Sequence, residues 1–219
     1  MNQLARTFNS SVGKKLIKAL TGLFLCAFLL EHLYGNLLLY KDDGGEAFNE
    51  YSHTLVHSVL IRIVEIFLFG AIIFHIIQAI VLTRQNNSAR PVKYDVQKSS
   101  ETSNWFSRNM GITGSVILFF LVIHLKNFFV SYRITGEVTD VAAHVKESFD
   151  QGWYSAVYII AIAFLAFHLN HGFQSAFQTL GLNDKRYSSL LKQIGTGFAI
   201  LIFIGFSSFP VIFYFNLLD

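Results

Sequence analysis

ALTGLFLCAFLLEHLYGNLLL, from Ala19 to Leu39, is a run of 21 residues with one formal charge, Glu31, and one histidine, His32. The hydrocarbon core of a bilayer is about 30 Å thick and takes roughly 20 apolar residues of α-helix. The run is long enough to span it. Four further stretches share its character, so five helices are predicted, near residues 14–39, 58–84, 108–133, 152–180 and 190–217. Composition agrees: 14% of residues are charged, where a soluble domain carries about a quarter, and mean hydropathy is +0.45. The expected fold is therefore an all-α integral membrane bundle of five transmembrane helices, a single domain over residues 1–219. The connections (40–57, 85–107, 134–151 and 181–189) are too short and polar for a separate soluble domain, and no internal repeat beyond helix alternation is expected. No small-residue cleavage site follows the first apolar run, so a removable signal peptide is not expected.

Lysine and arginine in short loops set the direction of insertion. The N-terminus, the second loop, the fourth loop and their flanking helix ends hold Arg6, Lys14, Lys15, Lys18, Arg84, Arg90, Lys93, Lys98, Arg108, Lys185, Arg186 and Lys192. The opposite face holds Lys41, Arg133 and Lys146, with Arg62 just inside span II, beside the acids Asp42, Asp43, Glu46, Glu50, Glu137, Asp140, Glu147 and Asp150. The N-terminus is expected in the cytoplasm and the C-terminus outside.

Ionisable residues inside a membrane mark function by default. Spans I to IV carry one inward-placed histidine each: His32, His75, His124 and His168. Each lies about 22 Å along its apolar run at 1.5 Å per residue. Because successive helices run in opposite directions, this one offset makes two layers, with His32 and His124 in the outer half and His75 and His168 in the inner half. The layers are about 14 Å apart. Facing imidazoles from alternate helices are what six-coordinate, non-covalent haem b requires, so two bis-histidine haems are expected. The ordinary role of one such histidine is an interhelical hydrogen bond; four that sort into two pairs favour ligation. Cys26, the single cysteine, excludes a protein-held iron–sulphur cluster and a disulfide framework, and the absence of CxxCH excludes covalent haem. Gly22 and Gly114, ten residues before His32 and His124, stand at the level of the inner layer. There they open room for a flat macrocycle or for close helix packing.

Gly13-Lys14-Lys15, Thr21-Gly22-Leu23-Phe24-Leu25 and Glu31-His32-Leu33-Tyr34-Gly35-Asn36 resemble the first helix of a succinate dehydrogenase/fumarate reductase cytochrome b subunit of the b558 type. Phe48-Asn49-Glu50-Tyr51, Glu65, Phe74-His75, Met110-Gly111 with Gly114, and Phe167 to Phe173 (FHLNHGF) continue the resemblance over nearly the whole chain. It implies a single-chain dihaem anchor that binds a flavoprotein subunit and an iron–sulphur subunit on the cytoplasmic face of a bacterial inner membrane. Electrons would pass between those subunits and a membrane quinone, with menaquinone expected. No nucleic-acid partner is expected, and a higher oligomer of the complex is compatible. Residue by residue, the resemblance implies that His75 and His168 hold the proximal haem iron and His32 and His124 the distal one.

Other residues have weaker claims. Lys18 and Arg108 are expected to neutralise proximal propionates, since a buried carboxylate needs a cation. His171, one turn beyond His168, could contact a propionate or replace His168 as ligand. Glu31 and Glu65 read as buried carboxylates that either give protons to quinone or pair with Arg62 and Lys126. Glu50, His53 and His57 read as solvated loop residues that could line a quinone site or a distal propionate. The chain holds no dicarboxylate site, so it would be inactive toward succinate alone. The competing readings are a stand-alone dihaem oxidoreductase of the cytochrome b561 kind, which needs no cytoplasmic subunits, and a haem-free, histidine-dependent transporter, which would be colourless.

Overall fold

The computed structural model describes residues 10–88, 109–182, 184 and 186–218. Every described regular element is helical. In chain order they are α1 (Ser11–Leu37, ending in the short turn Leu38–Tyr40), α2 (Glu46–His57), α3 (Val59–Ser88), α4 (Met110–His124), α5 (Val141–Asp150), α6 (Gly152–Thr179) and α7 (Ser188–Tyr214). Five segments are long and apolar enough to cross a membrane: Val12–Tyr40, Val59–Gln85, Met110–Ile134, Gly152–Thr179 and Ser188–Tyr214. They match the expected spans to within a few residues.

The molecule has the inside-out surface of a lipid-embedded protein. Phe67, Phe119 and Ile204 are 69%, 76% and 62% exposed, which would be untenable for so many large apolar groups in water. Neighbouring contacts run α3–α1–α6–α4, with a smaller contact between α3 and α4 closing the ring. Spans I to IV thus form a four-helix bundle in which I lies diagonal to III and II diagonal to IV. Span V (α7) packs outside it, chiefly on α6. Gly205 lets Leu33 of α1 lie against α7; a Cβ there would come within 2.7 Å of Leu33 Cδ2.

Two loops carry helices that apolar run length does not signal. In α5, Asp140 caps the N-terminus by accepting from Ala143 N–H at 2.9 Å, and Val141, Ala142, Val145 and Phe149 form its buried face. In α2, Asp43 accepts from Gly45 N–H at 2.9 Å and Ala47 N–H at 3.1 Å, and Gly45 takes a left-handed φ of 95° against Ala142. Asn49 joins the two helices. Its amide donates to Asp140 Oδ1 at 2.9 Å, and its Oδ1 accepts from Ala142 N–H at 3.0 Å. Together α2 and α5 cap the end of the bundle nearest His32 and His124.

The Ala143 N–H, and then the Asn49 amide, hold the Asp140 carboxyl below the usual carboxylate range. A depressed folded value means the clasp is complete at neutral pH and is lost as pH falls through that value. Asp140→Ala is expected to cost about 1 kcal/mol at pH 7, the typical size of an N-cap. The difference from the parent should shrink in acid, as read by thermal unfolding in detergent.

Immediately after His124, span III widens into a π-helix over Leu125–Ile134. Long π stretches are rare and recur at functional sites.

Candidate haem sites

The layer of His32 and His124, the one expected on the outer side, is an aromatic box. His32 of α1 and His124 of α4 face each other across the I–III diagonal with ring centroids 5.8 Å apart. Phe28 stacks one turn below His32 at 5.4 Å, and Phe206 of α7 lies on it at 5.5 Å. Phe120 and Phe128 flank His124 at 5.7 and 5.3 Å. Tyr158 of α6 lies 3.2 Å from His124 Nδ1 and 2.9 Å from the Tyr154 hydroxyl. The Asn127 amide, on the π segment, donates to Tyr154 at 2.9 Å and to Ser148 at 3.1 Å, tying the layer to α5. Among the described residues no side-chain hydrogen bond reaches the His32 ring.

The layer of His75 and His168, the one expected on the inner side, is built differently. His75 Nδ1 lies 3.2 Å from Thr21 Oγ1 of the adjacent α1, and His168 Nδ1 lies 3.2 Å from Thr113 Oγ1 of the adjacent α4. Gly22 and Gly114 follow those threonines. A Cβ at Gly22 would sit 3.3 Å from His75 Cε1, and one at Gly114 3.7 Å from His168 Cε1. The two glycines stand at the inner level, where the bare backbone receives the histidine rings. His75, Lys18 and His171 are electrostatic neighbours of His168, so the two histidines of the II–IV diagonal lie within electrostatic reach of each other. Gln78, one turn beyond His75, has a buried Oε1 with no hydrogen-bond partner among the described residues.

These donors suit haem. With a metal–imidazole bond near 2 Å, two imidazoles on opposite sides of one ion hold their ring centroids about 6 Å apart, close to the His32–His124 spacing. Among the described residues no group of three or more His, Cys, Asp or Glu gathers as a bare metal-ion site. Paired imidazoles without a third donor fit a metal that brings its other ligands with it.

A family model described as the succinate dehydrogenase/fumarate reductase transmembrane subunit matches residues 86–206, more than half of the chain. The chain belongs to that family. No curated protein and no solved structure matches it. In this succinate dehydrogenase/fumarate reductase transmembrane subunit, the matched stretch contains His124, His168 and the Thr113-Gly114 pair. The rest of the bundle repeats that arrangement. Ninety-two residues separate Thr21 from Thr113, Gly22 from Gly114, Phe28 from Phe120 and His32 from His124; 93 separate His75 from His168 and Gln78 from His171. Each half is a span, a short capping helix and a second span, both halves running in the same direction. This repeat corrects the expectation of none. It is carried by a few chemically important positions on an apolar background that hides them. Thr113 and Tyr158 are hidden for the same reason, as is the role of Thr21 beyond its place in the first-helix motif; the spacing Thr-Gly-x9-His marks both threonines.

The remaining sequence candidates scatter. Lys18 and His171 are both half-buried beside the inner layer. Arg108 lies outside the described residues, as do Arg6, Arg90, Lys93, Lys98 and Lys185. Glu31 is exposed rather than buried: one residue before His32 it points about 100° away from the bundle interior. Its carboxylate accepts a hydrogen bond from Tyr51, and burial together with that carboxylate pushes the Tyr51 phenol up. Gly35 makes the contact possible, since a Cβ there would come within 2.6 Å of the Tyr51 ring. Glu65 pairs with Arg62 at 3.1 Å and with Arg133 at 3.7 Å. Lys126 is not its partner; the π-helical turn after His124 leaves Lys126 exposed. Glu65 lies 93 residues before Tyr158, so the repeat is broken where the second half hydrogen-bonds its outer histidine. Glu50, His53 and His57 belong to α2, where the two histidine rings stack at 4.0 Å.

Proposed function

We propose that this chain is the dihaem b anchor of a succinate:quinone oxidoreductase, lying in a bacterial cytoplasmic membrane with its N-terminus inside and its C-terminus outside. The observation that carries the reading is the pair of histidine layers, one on each diagonal of a single four-helix bundle. The family membership supports the same assembly. A transporter reading would accommodate the repeat equally well. It would also call for interrupted helices at the site, whereas α1, α3 and α6 run unbroken through His32, His75 and His168.

Haem b, bound between the paired imidazoles of His75 and His168 and of His32 and His124, supplies reversible one-electron transfer. The chain's own residues do the rest. The imidazoles set two fixed stations along the membrane normal, and the phenylalanines around the outer one exclude water. Lys18 offsets negative charge at the inner station, and Arg108 shares that role. Quinone, with menaquinone the expected species, docks toward the outer layer. Glu31 with Tyr51, or Glu65 between its two arginines, holds the protons that quinone chemistry consumes or releases. The basic inner face docks an iron–sulphur subunit, itself carrying the flavoprotein that handles succinate or fumarate.

Affinity purification of the tagged chain from its native membrane is expected to bring down two further subunits and succinate-dependent quinone reduction. A chain that purifies alone with two haems would contradict the assembly and favour a b561-like oxidoreductase.

A further inference from the structure

We propose that Thr21 and Thr113 are positioning residues for the inner pair, each accepting the Nδ1 proton of the histidine on the adjacent span and so fixing the tautomer that presents Nε2 as the iron ligand. This rests on the dihaem reading above. A threonine hydroxyl has one hydrogen to give and lone pairs to accept with. Thr21 Oγ1 lies 2.9 Å from Ile17 O and 3.1 Å from Lys18 O in its own helix, and Thr113 Oγ1 lies 3.1 Å from Met110 O. Such bonds to the preceding turn are the usual use of a helical threonine hydroxyl, and they consume its proton. What faces His75 and His168 is then a lone pair. Each Nδ1 must carry the hydrogen, and each Nε2 is bare.

The neighbouring glycines complete the device. The hydroxyl takes one ring atom while the missing Cβ lets the adjoining Cε1 edge lie against the helix. The same dipeptide performs the same task twice, 92 residues apart. The outer layer has no such device. His124 meets a tyrosine whose own proton has two possible takers, His124 and Tyr154. A hydrogen bond accepted from Nδ1–H makes an imidazole a more basic ligand, so the threonines should hold the inner haem at a lower potential than it would otherwise have.

The experiment is redox titration and low-spin EPR of the purified holoprotein carrying Thr21→Val, Thr113→Val or both, with Thr→Ser at each site. Valine keeps the shape and removes the acceptor. The expected result is two haems per chain, with one midpoint shifted upward and its EPR signal altered, further in the double variant. The other haem should be unchanged, and serine should restore the parent values. Parent potentials and signals in all valine variants would overturn the proposal. If valine instead strips the inner haem, serine decides. Haem retained at the parent potential supports a role for the hydroxyl; haem lost in both shows a packing role and overturns it. Parent protein without haem would refute the dihaem reading itself, before any substitution is made.

Discussion

His75→Ala and His168→Ala are each expected to purify with one haem where the parent has two, the survivor keeping the spectrum and potential of the outer site. His32→Ala and His124→Ala should give the complementary loss. The selectivity follows from the two diagonals. Removing one imidazole leaves its partner alone on a metal that needs both, while the other layer, about 14 Å away along the helix axis, keeps its donors. His171→Ala should retain both haems, because Thr113 fixes His168 and not its neighbour one turn on. Loss of the inner haem in the His171 variant alone would reassign that ligand. Difference spectra with haem quantified per polypeptide read all five variants.

Leucine at Gly22 or Gly114 is expected to abolish the inner haem and spare the outer one, although His32 and His124 share helices with these glycines. A Cβ alone would crowd His75 Cε1 at Gly22, at 3.3 Å. A full isobutyl group has to displace the ring. Overpacking typically costs about 1–3 kcal/mol in stability, which a five-span bundle can absorb. An imidazole moved by an ångström or more no longer reaches a metal–ligand bond of about 2 Å. Alanine at Gly114, where the contact is an ordinary 3.7 Å, should leave haem content unchanged. Selective loss of the outer haem in Gly22→Leu would mean that the layers are misassigned. The readout is haem stoichiometry together with the potential of the survivor.

The spans and the histidine layers were legible in the sequence because each rests on a one-dimensional quantity: the length of an apolar run and the offset of a histidine within it. The pairing across diagonals followed once helices were taken to alternate in direction. What could not be read depends on angular position or on short polar contacts. Glu31 was expected in the interior with His32, yet adjacent helical residues face different ways, and α2 had to be known before Tyr51 could be its partner. Glu65 meets Arg133 rather than Lys126 because span III leaves α-helical geometry at Leu125, a change that apolar periodicity does not announce. The capping helices α2 and α5 leave little trace in the sequence because ten or twelve amphipathic residues between acidic loops resemble any polar connection. Thr21 and Thr113 sit in apolar helices where threonine ordinarily packs. Only their common spacing to a histidine, and then the structure, gives them a role.

On the proposed reading, this transmembrane subunit carries one haem on each diagonal of its bundle. The most direct measurement is a dithionite-reduced minus oxidised spectrum of the detergent-purified chain, expressed with haem supply and shown to be folded, with haem quantified per polypeptide. Two b-type haems per chain are expected. Folded protein without haem would contradict the dihaem assignment and leave the paired histidines to proton or substrate handling.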